Sequence, residues 1–270
     1  DFTKEDTLLL EIKNSLQEYI EDKKKDGSIT NASVYLRNLN RHQDVRVNPK
    51  EVYFPGSLMK IPIMLTFLKA SESDPSLLDR QVPFIRPYDN LPFQNIKSVG
   101  IELGKVYTIR QLIEYMITHS DNNATALLRE NIDFEKIAHV FENLQLPYPD
   151  TKQPDYGLTL KDYSRFFRVL FNATYLSWKN SEYALELLTK TDYQNGIAKG
   201  VDKGVVIAHK FGERNSDGVQ QLHEVGIVYL QNRPYLLGIM TKGNDIKKME
   251  PILGEISKIV YSGMKDGQVD

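Results

Sequence analysis

The chain has no cysteine. Disulfides, thiolate nucleophiles and cysteine-ligated zinc are therefore excluded together, although a compartment is not assigned by that alone. Net charge is nearly absent as well, since 34 Lys and Arg against 36 Asp and Glu leave −2 at pH 7. So even a balance gives no electrostatic reason to expect nucleic acid or an acidic membrane as partner. Long apolar runs are missing, and no stretch approaches the ~20 residues that span a bilayer. Metal-binding spacings such as H-E-x-x-H do not occur, so neither a metal nor a cofactor is expected. No signal peptide is visible and the chain opens on Asp1, which reads as a processed or trimmed N-terminus.

What is present is an ordinary globular composition, 41% hydrophobic and 26% charged over 270 residues. That suffices for one large domain or two smaller ones. Leu8, Ile12, Leu16 and Tyr19/Ile20 recur at helical spacing from Thr3 to about Lys24, with Thr3 and Asp6 resembling a capping box. Alternation then predicts strands around Ala32–Leu36, Val45–Val47 and Glu51–Phe54. Helical patterns cover about 58–70, 108–119, 122–131, 133–144, 159–172 and 181–191, and the aromatic residues of Tyr163–Phe171 read as core. Residues 83–92 and 147–154 read as loops. Strands return at Gly204–Phe211, Val219–Leu230 and Pro234–Thr241, before a closing helix from Asp245 in which Pro251 predicts a kink or a late start.

Two- and three-strand pieces are marginal alone. The order therefore predicts an α+β fold, with one antiparallel sheet drawn from both chain ends and flanked by the terminal helices. A central all-helical lobe completes it. The expected division is 1–56 with 196–270 as the sheet lobe and 57–195 as the helical lobe, with a site in the cleft between them.

Three short stretches carry chemistry. In Ser57-Leu58-Met59-Lys60 a serine and a lysine stand three apart, which on a helix places their Cβ atoms about 5–6 Å from each other. A serine hydroxyl needs an adjacent base to become a nucleophile, and an amine serves once burial or a second cation lowers its pKa. The pair alone is close to chance frequency. Ser120-Asp121-Asn122 sits at a helix junction and reads either as an N-cap or as site residues. His209-Lys210-Phe211-Gly212 ends a strand, with Lys210 either a solvated edge charge or a ligand group and Gly212 permitting close backbone approach.

Together and in this order, the three stretches resemble those of the serine penicillin-recognising enzymes, the class A β-lactamases and penicillin-binding D,D-peptidases, which carry S-x-x-K, S-D-N and K-T-G. The order of strands and helices is similar over nearly the whole chain. The resemblance implies a serine hydrolase that forms an acyl-enzyme on Ser57, with Lys60 as proton acceptor and Ser120 as proton shuttle. It implies substrate binding by Asn122 and Lys210, with Lys210 also helping to keep Lys60 neutral. The backbone N–H groups of Ser57 and Glu213 would form the oxyanion hole. It further implies a β-lactam or cell-wall peptide as substrate and an extracytoplasmic location.

Two departures stand out. Phe211 replaces the hydroxyl residue of the third motif, although alternation puts it on the face opposite Lys210 and Gly212, and Arg214 offers a replacement cation. Gln145–Gly157, where class A β-lactamases carry the glutamate that activates the deacylating water, contains none. Asp150 and Asp155 read as turn residues. Turnover is therefore in doubt, and a non-turnover penicillin-binding or sensor module, or a D,D-peptidase or esterase, is the alternative. His209 and His223 lie on neighbouring predicted strands, where the two can approach each other, whereas His119 reads as a packed helix end.

Overall fold

The computed structural model describes residues 4–41, 43–89, 91–92, 94–97, 99–147, 157–216 and 218–266. Helix α1 (Lys4–Lys25) leads into strands β1 (Asn31–Asn38) and β2 (Asp44–Val47). Both join β7 (Ile207–Ser216), β8 (Val219–Val228) and β9 (Tyr235–Gly243) in one antiparallel sheet of order β2-β1-β9-β8-β7. The first and last parts of the chain thus share a sheet, as their separate incompleteness requires. Thr3 of the expected capping box lies outside the described residues.

Both faces of this sheet are covered. On β1, Ala32, Val34 and Leu36 point to one apolar cluster and Tyr35 to the other. The first cluster holds Ile12, Leu16 and Ile20 of α1 and Met249, Leu253, Ile256 and Val260 of α8 (Ile246–Asp266). Helix α8 begins at Ile246 and continues through Pro251, so the proline marks no late start. It removes only the N–H that would meet the Lys247 carbonyl.

The second cluster is the core of the helical part. At its centre α2 (Lys60–Ser71) is buried on every side from Lys60 to Leu68. A helix apolar all round must be surrounded, and α3 (Ile109–Thr118), α5 (Phe134–Asn143) and α7 (Trp178–Thr189) pack against it, with α4 (Asn122–Glu130) behind α3 and α6 (Leu160–Phe171) between α7 and the sheet. Thr108 caps α3 in a reciprocal capping box with Gln111, and Thr159 caps α6.

Several expectations are corrected. Strand β3 (Val52–Tyr53) pairs with β6 (Leu158–Thr159), not with the main sheet, and β4 (Gln81–Pro83) with β5 (Val106–Thr108) forms a ribbon where a loop was expected to begin. Strand β7 runs on past Phe211 to Ser216, because β8 pairs with it continuously to Val219. Lys210-Phe211-Gly212 therefore lies mid-strand, on the outer edge of the sheet. Among the described residues no helix is long and apolar enough to cross a membrane.

Leu253 is fully buried between sheet and α1. Leu253→Ala is expected to lower unfolding free energy by about 2–5 kcal/mol, measured by urea denaturation at constant m-value.

Candidate active site

Ser57 lies in a 3-10 turn, Gly56–Met59, and Lys60 is the first residue of α2. Such a turn eclipses residues three apart, and Lys60 Nζ comes 3.1 Å from Ser57 Oγ. Because regular helix begins only at Lys60, Pro62 is its third residue, where an N–H has no helical partner to lose. The proline that sits awkwardly for a helix starting at Ser57 is thus explained by the preceding turn.

The serine turn is held from three sides. Fully buried Tyr163 on α6 donates its hydroxyl to Leu58 O at 2.8 Å. From β8, His223 Nε2–H donates to Phe54 O at 3.1 Å and Gln221 Oε1 accepts from Phe54 N–H at 3.0 Å. The third support is backbone contact with β7. A Cβ on Gly212 would stand 2.5 Å from Pro55 O and 2.8 Å from Leu58 N, and one on Gly56 would stand 2.2 Å from Glu213 O. Gly56 also needs φ +55°. Only glycine at both positions lets the strand lie against the turn.

Lys60 Nζ also meets Ser120 O at 2.5 Å, Ser120 Oγ at 3.1 Å and Asn122 Oδ1 at 2.8 Å. Ser120 adopts φ +54°, a left-handed conformation for a residue with a Cβ, which costs on the order of 1–3 kcal/mol and persists where surroundings impose it. The two readings of Ser120-Asp121-Asn122 divide by residue. Asp121 is the N-cap, accepting from Asn123 N–H at 2.9 Å, while Ser120 and Asn122 face the lysine. Burial pushes the Lys60 pKa down to about 7, against the opposing pull of Asp121 and Glu213. Of the four oxygens around this amine, Ser120 O and Asn122 Oδ1 can only accept while the two hydroxyls can also donate, so a neutral amine that donates to the first two and accepts from Ser57 fits the geometry.

Lys210 is fully buried. Burial first, and then the neighbouring Lys60 cation, hold its pKa well below the usual lysine range. The depression of Lys60 thus comes from its own burial rather than from Lys210. Lys210 Nζ donates to Phe211 O at 3.1 Å and lies 4.3 Å from the Phe211 ring centroid, its stem curling round the free edge of β7. Phe211 itself is on the opposite face, as alternation predicts, stacked 4.4 Å from Tyr193. The Arg214 guanidinium lies over the Phe54 ring at 5.5 Å, next to the serine turn.

The Glu213 side chain, nearly buried, accepts from Asn95 N–H at 3.1 Å, Asn95 Nδ2 at 2.8 Å and Ile96 N–H at 3.1 Å. Sequence reasoning used only its main chain. It also missed Tyr163, Gln221, His223 and Gln94, which lie far from the motifs in sequence and carry no spacing signal. His209 and His223 do not approach each other. His209 pairs with Gly226 and Gly212 with His223, which puts the two rings on opposite faces. His209 instead meets Glu224 Oε1 at 2.5 Å. His119, as expected, closes a helix end, leaning on Tyr115 and pairing with Asp192. Among the described residues no cluster of three or more His, Asp or Glu side chains is placed to hold a metal ion. Asp150 and Asp155 lie outside the described residues.

This architecture, with a serine turn between a helical layer and a sheet edge, has the fold of the serine β-lactamases and penicillin-binding proteins. PBP-A superposes with a TM-score of 0.76 at 22% identity, over 94% of this chain and 96% of that one. A PBP-A mutant solved as an acyl-enzyme complex with penicillin G gives 0.75 at 22% identity, over 94% and 97%. A β-lactamase from Sphaerobacter thermophilus gives 0.76 at 18% identity, over 93% and 97%. At these identities the likeness is one of fold. Residues 11–264 match the sequence model of the β-lactamase enzyme family, and the chain belongs to that family. No curated protein matches its sequence.

His223 is held neutral, its pKa lowered by burial from 6.5 to about 3. The folded state thus binds fewer protons than the unfolded state across that window. The stability that His223 contributes is full above 6.5 and falls as pH drops towards 3, by up to about 1.4 kcal/mol per pH unit. His223→Gln is expected to have a shallower loss of stability than the parent over this range in paired urea titrations.

Proposed function

We propose that the chain is a serine acyl-transfer hydrolase acting through Ser57. The observation that carries this reading is a buried amine, with a pKa near 7, within 3.1 Å of the Ser57 hydroxyl. Lys60 takes the Ser57 proton as Oγ attacks the substrate carbonyl. Ser120 Oγ, on the far side of the same amine, passes a proton to the leaving nitrogen. Asn122 holds the substrate amide, and the N–H groups of Ser57 and Glu213 receive the oxyanion, with Gly212 keeping β7 close enough to do so. Lys210, sealed from solvent, supplies electrostatics from below, and Arg214 is the cation on the same face for a substrate carboxylate.

The substrate is a β-lactam or a related cell-wall amide, which goes with an extracytoplasmic location. The absence of glutamate from Gln145–Gly157 favours a long-lived acyl-enzyme over rapid turnover, and hence a penicillin-binding, sensor or D,D-peptidase role over a fast lactamase. On this reading the site lies where the sheet lobe, residues 1–56 and 196–270, meets the helical lobe, 57–195.

Incubation with a chromogenic β-lactam, followed by colour and intact mass, tests the reading. The expected result is a stoichiometric adduct on Ser57 with slow release, abolished by Ser57→Ala. No adduct from β-lactams, simple esters or D-Ala-D-Ala peptides would sink the enzymatic role. Since the neutral form of Lys60 is the reactive one, the acylation rate should fall about tenfold per pH unit below roughly pH 7 and level off above it. Lys60→Ala should lose about 10²–10⁴-fold in acylation rate.

A further inference from the structure

Phe211 is the residue by which the third motif departs from the family pattern, and the acyl-transfer reading gives it no task. Its ring stacks on Tyr193 at 4.4 Å and 30°, and both rings belong to the apolar cluster between the sheet and the terminal helices. Beside this pair lies a cavity of about 220 Å³. Ile96, Tyr193 and Phe211 supply its apolar lining, and Lys97, His119 and Asp192 are among its polar residues. None of the residues assigned above to the acyl-transfer site lines it. Alternation along β7 explains the separation, since Phe211 faces away from Lys210 and Gly212.

We propose that this cavity is a second ligand site, separate from that of Ser57, and that it takes a small aromatic carboxylate. Size sets the scale of the ligand. A cavity of roughly 150 Å³ is enough to hold benzene, whereas drug-sized ligands occupy roughly 300–1,000 Å³. At about 220 Å³ the cavity has room for one ring and a short acid-bearing arm. The Phe211 and Tyr193 rings give that ring its packing partners, because aromatic neighbours attract beyond the area they bury. Charge sets the functional group. Lys97 is exposed and makes no hydrogen bond or ion pair among the described residues, so its ammonium is available to a carboxylate. Asp192, the acid on the same rim, is engaged by His119 Nδ1 at 2.6 Å. That pairing leaves Nε2 as the ring nitrogen for a ligand. The Lys97 charge, an acid already held in a pair and an aromatic lining together select an aromatic anion over a cation. The inference does not depend on the acyl-transfer reading, because no group of that site takes part.

The test titrates three probes into isotope-labelled protein and reads backbone amide shifts. Phenylacetate carries ring and charge, benzyl alcohol keeps the ring without the charge, and acetate keeps the charge without the ring. Phenylacetate is expected to shift the amides of Lys97, His119 and Tyr193 with a Kd of about 1 mM. The other two should bind at least about tenfold more weakly. Lys97→Ala should weaken phenylacetate about tenfold and leave benzyl alcohol unchanged. Phe211→Leu, which keeps an apolar side chain and removes the ring, should weaken both aromatic probes about fivefold. Lys97 is on the surface, so Lys97→Ala keeps the test available if Phe211→Leu folds poorly. The absence of saturable shifts at about ten times the expected Kd overturns the proposal, and so does an affinity for phenylacetate that Lys97→Ala leaves unchanged. Shifts that map to Gly212 and Arg214 and are lost in Arg214→Ala overturn it as well, since the acid would then sit in the Ser57 cleft.

Discussion

The burial of one amine organises the site. Lys60 Nζ meets four oxygens, and all of them come from Ser57, Ser120 and Asn122. An unpaired ammonium in that position would be very unfavourable, so the surrounding chain has to bring polar groups to it. This accounts for the left-handed backbone of Ser120, which turns both its carbonyl and its hydroxyl towards the lysine. It also accounts for the lowered pKa, because solvation lost on burial is only partly returned by Asp121 and Glu213. An amine whose pKa lies near neutrality is thus a consequence of packing a lysine at the buried start of a hydrophobic helix.

The precision of the arrangement comes from groups that do no chemistry. Tyr163, Gln221 and His223 hold the backbone from Phe54 to Leu58 with one hydrogen bond each. Two glycines bring β7 into van der Waals contact with the same turn. A hydroxyl placed this way is fixed by rigid elements from both layers rather than by its own loop. The serine turn therefore depends on the docking of sheet and helices.

The third motif illustrates how edge position alters a strand residue's meaning. In a regular strand Lys210 and Phe211 would point to opposite faces and ignore each other. On the free edge of β7 the lysine stem bends back, so its amine lies over the phenyl ring and is sealed from solvent. The aromatic substitution is accommodated by stacking on Tyr193 in the layer beneath α8, away from Gly212 and the serine turn.

Much of this was legible in the sequence because it is written in local or periodic terms. The helical apolar spacing near the N-terminus, the closing helix and the incompleteness of each strand group pointed to the α+β order. Three short motifs then named Ser57, Lys60, Ser120, Asn122 and Lys210. What escaped was non-local. The side-chain contacts of Glu213 with Asn95 and Ile96 span more than a hundred residues, and no spacing rule connects a strand glutamate with a loop. His209 and His223 did not meet because register, which a single residue reverses, set them on opposite faces. Residue identity determined which chemistry this chain can attempt. Tertiary packing alone decided which of those groups are dry, which are paired, and how the serine is approached, because desolvation and contact are properties of the folded neighbourhood rather than of the residue.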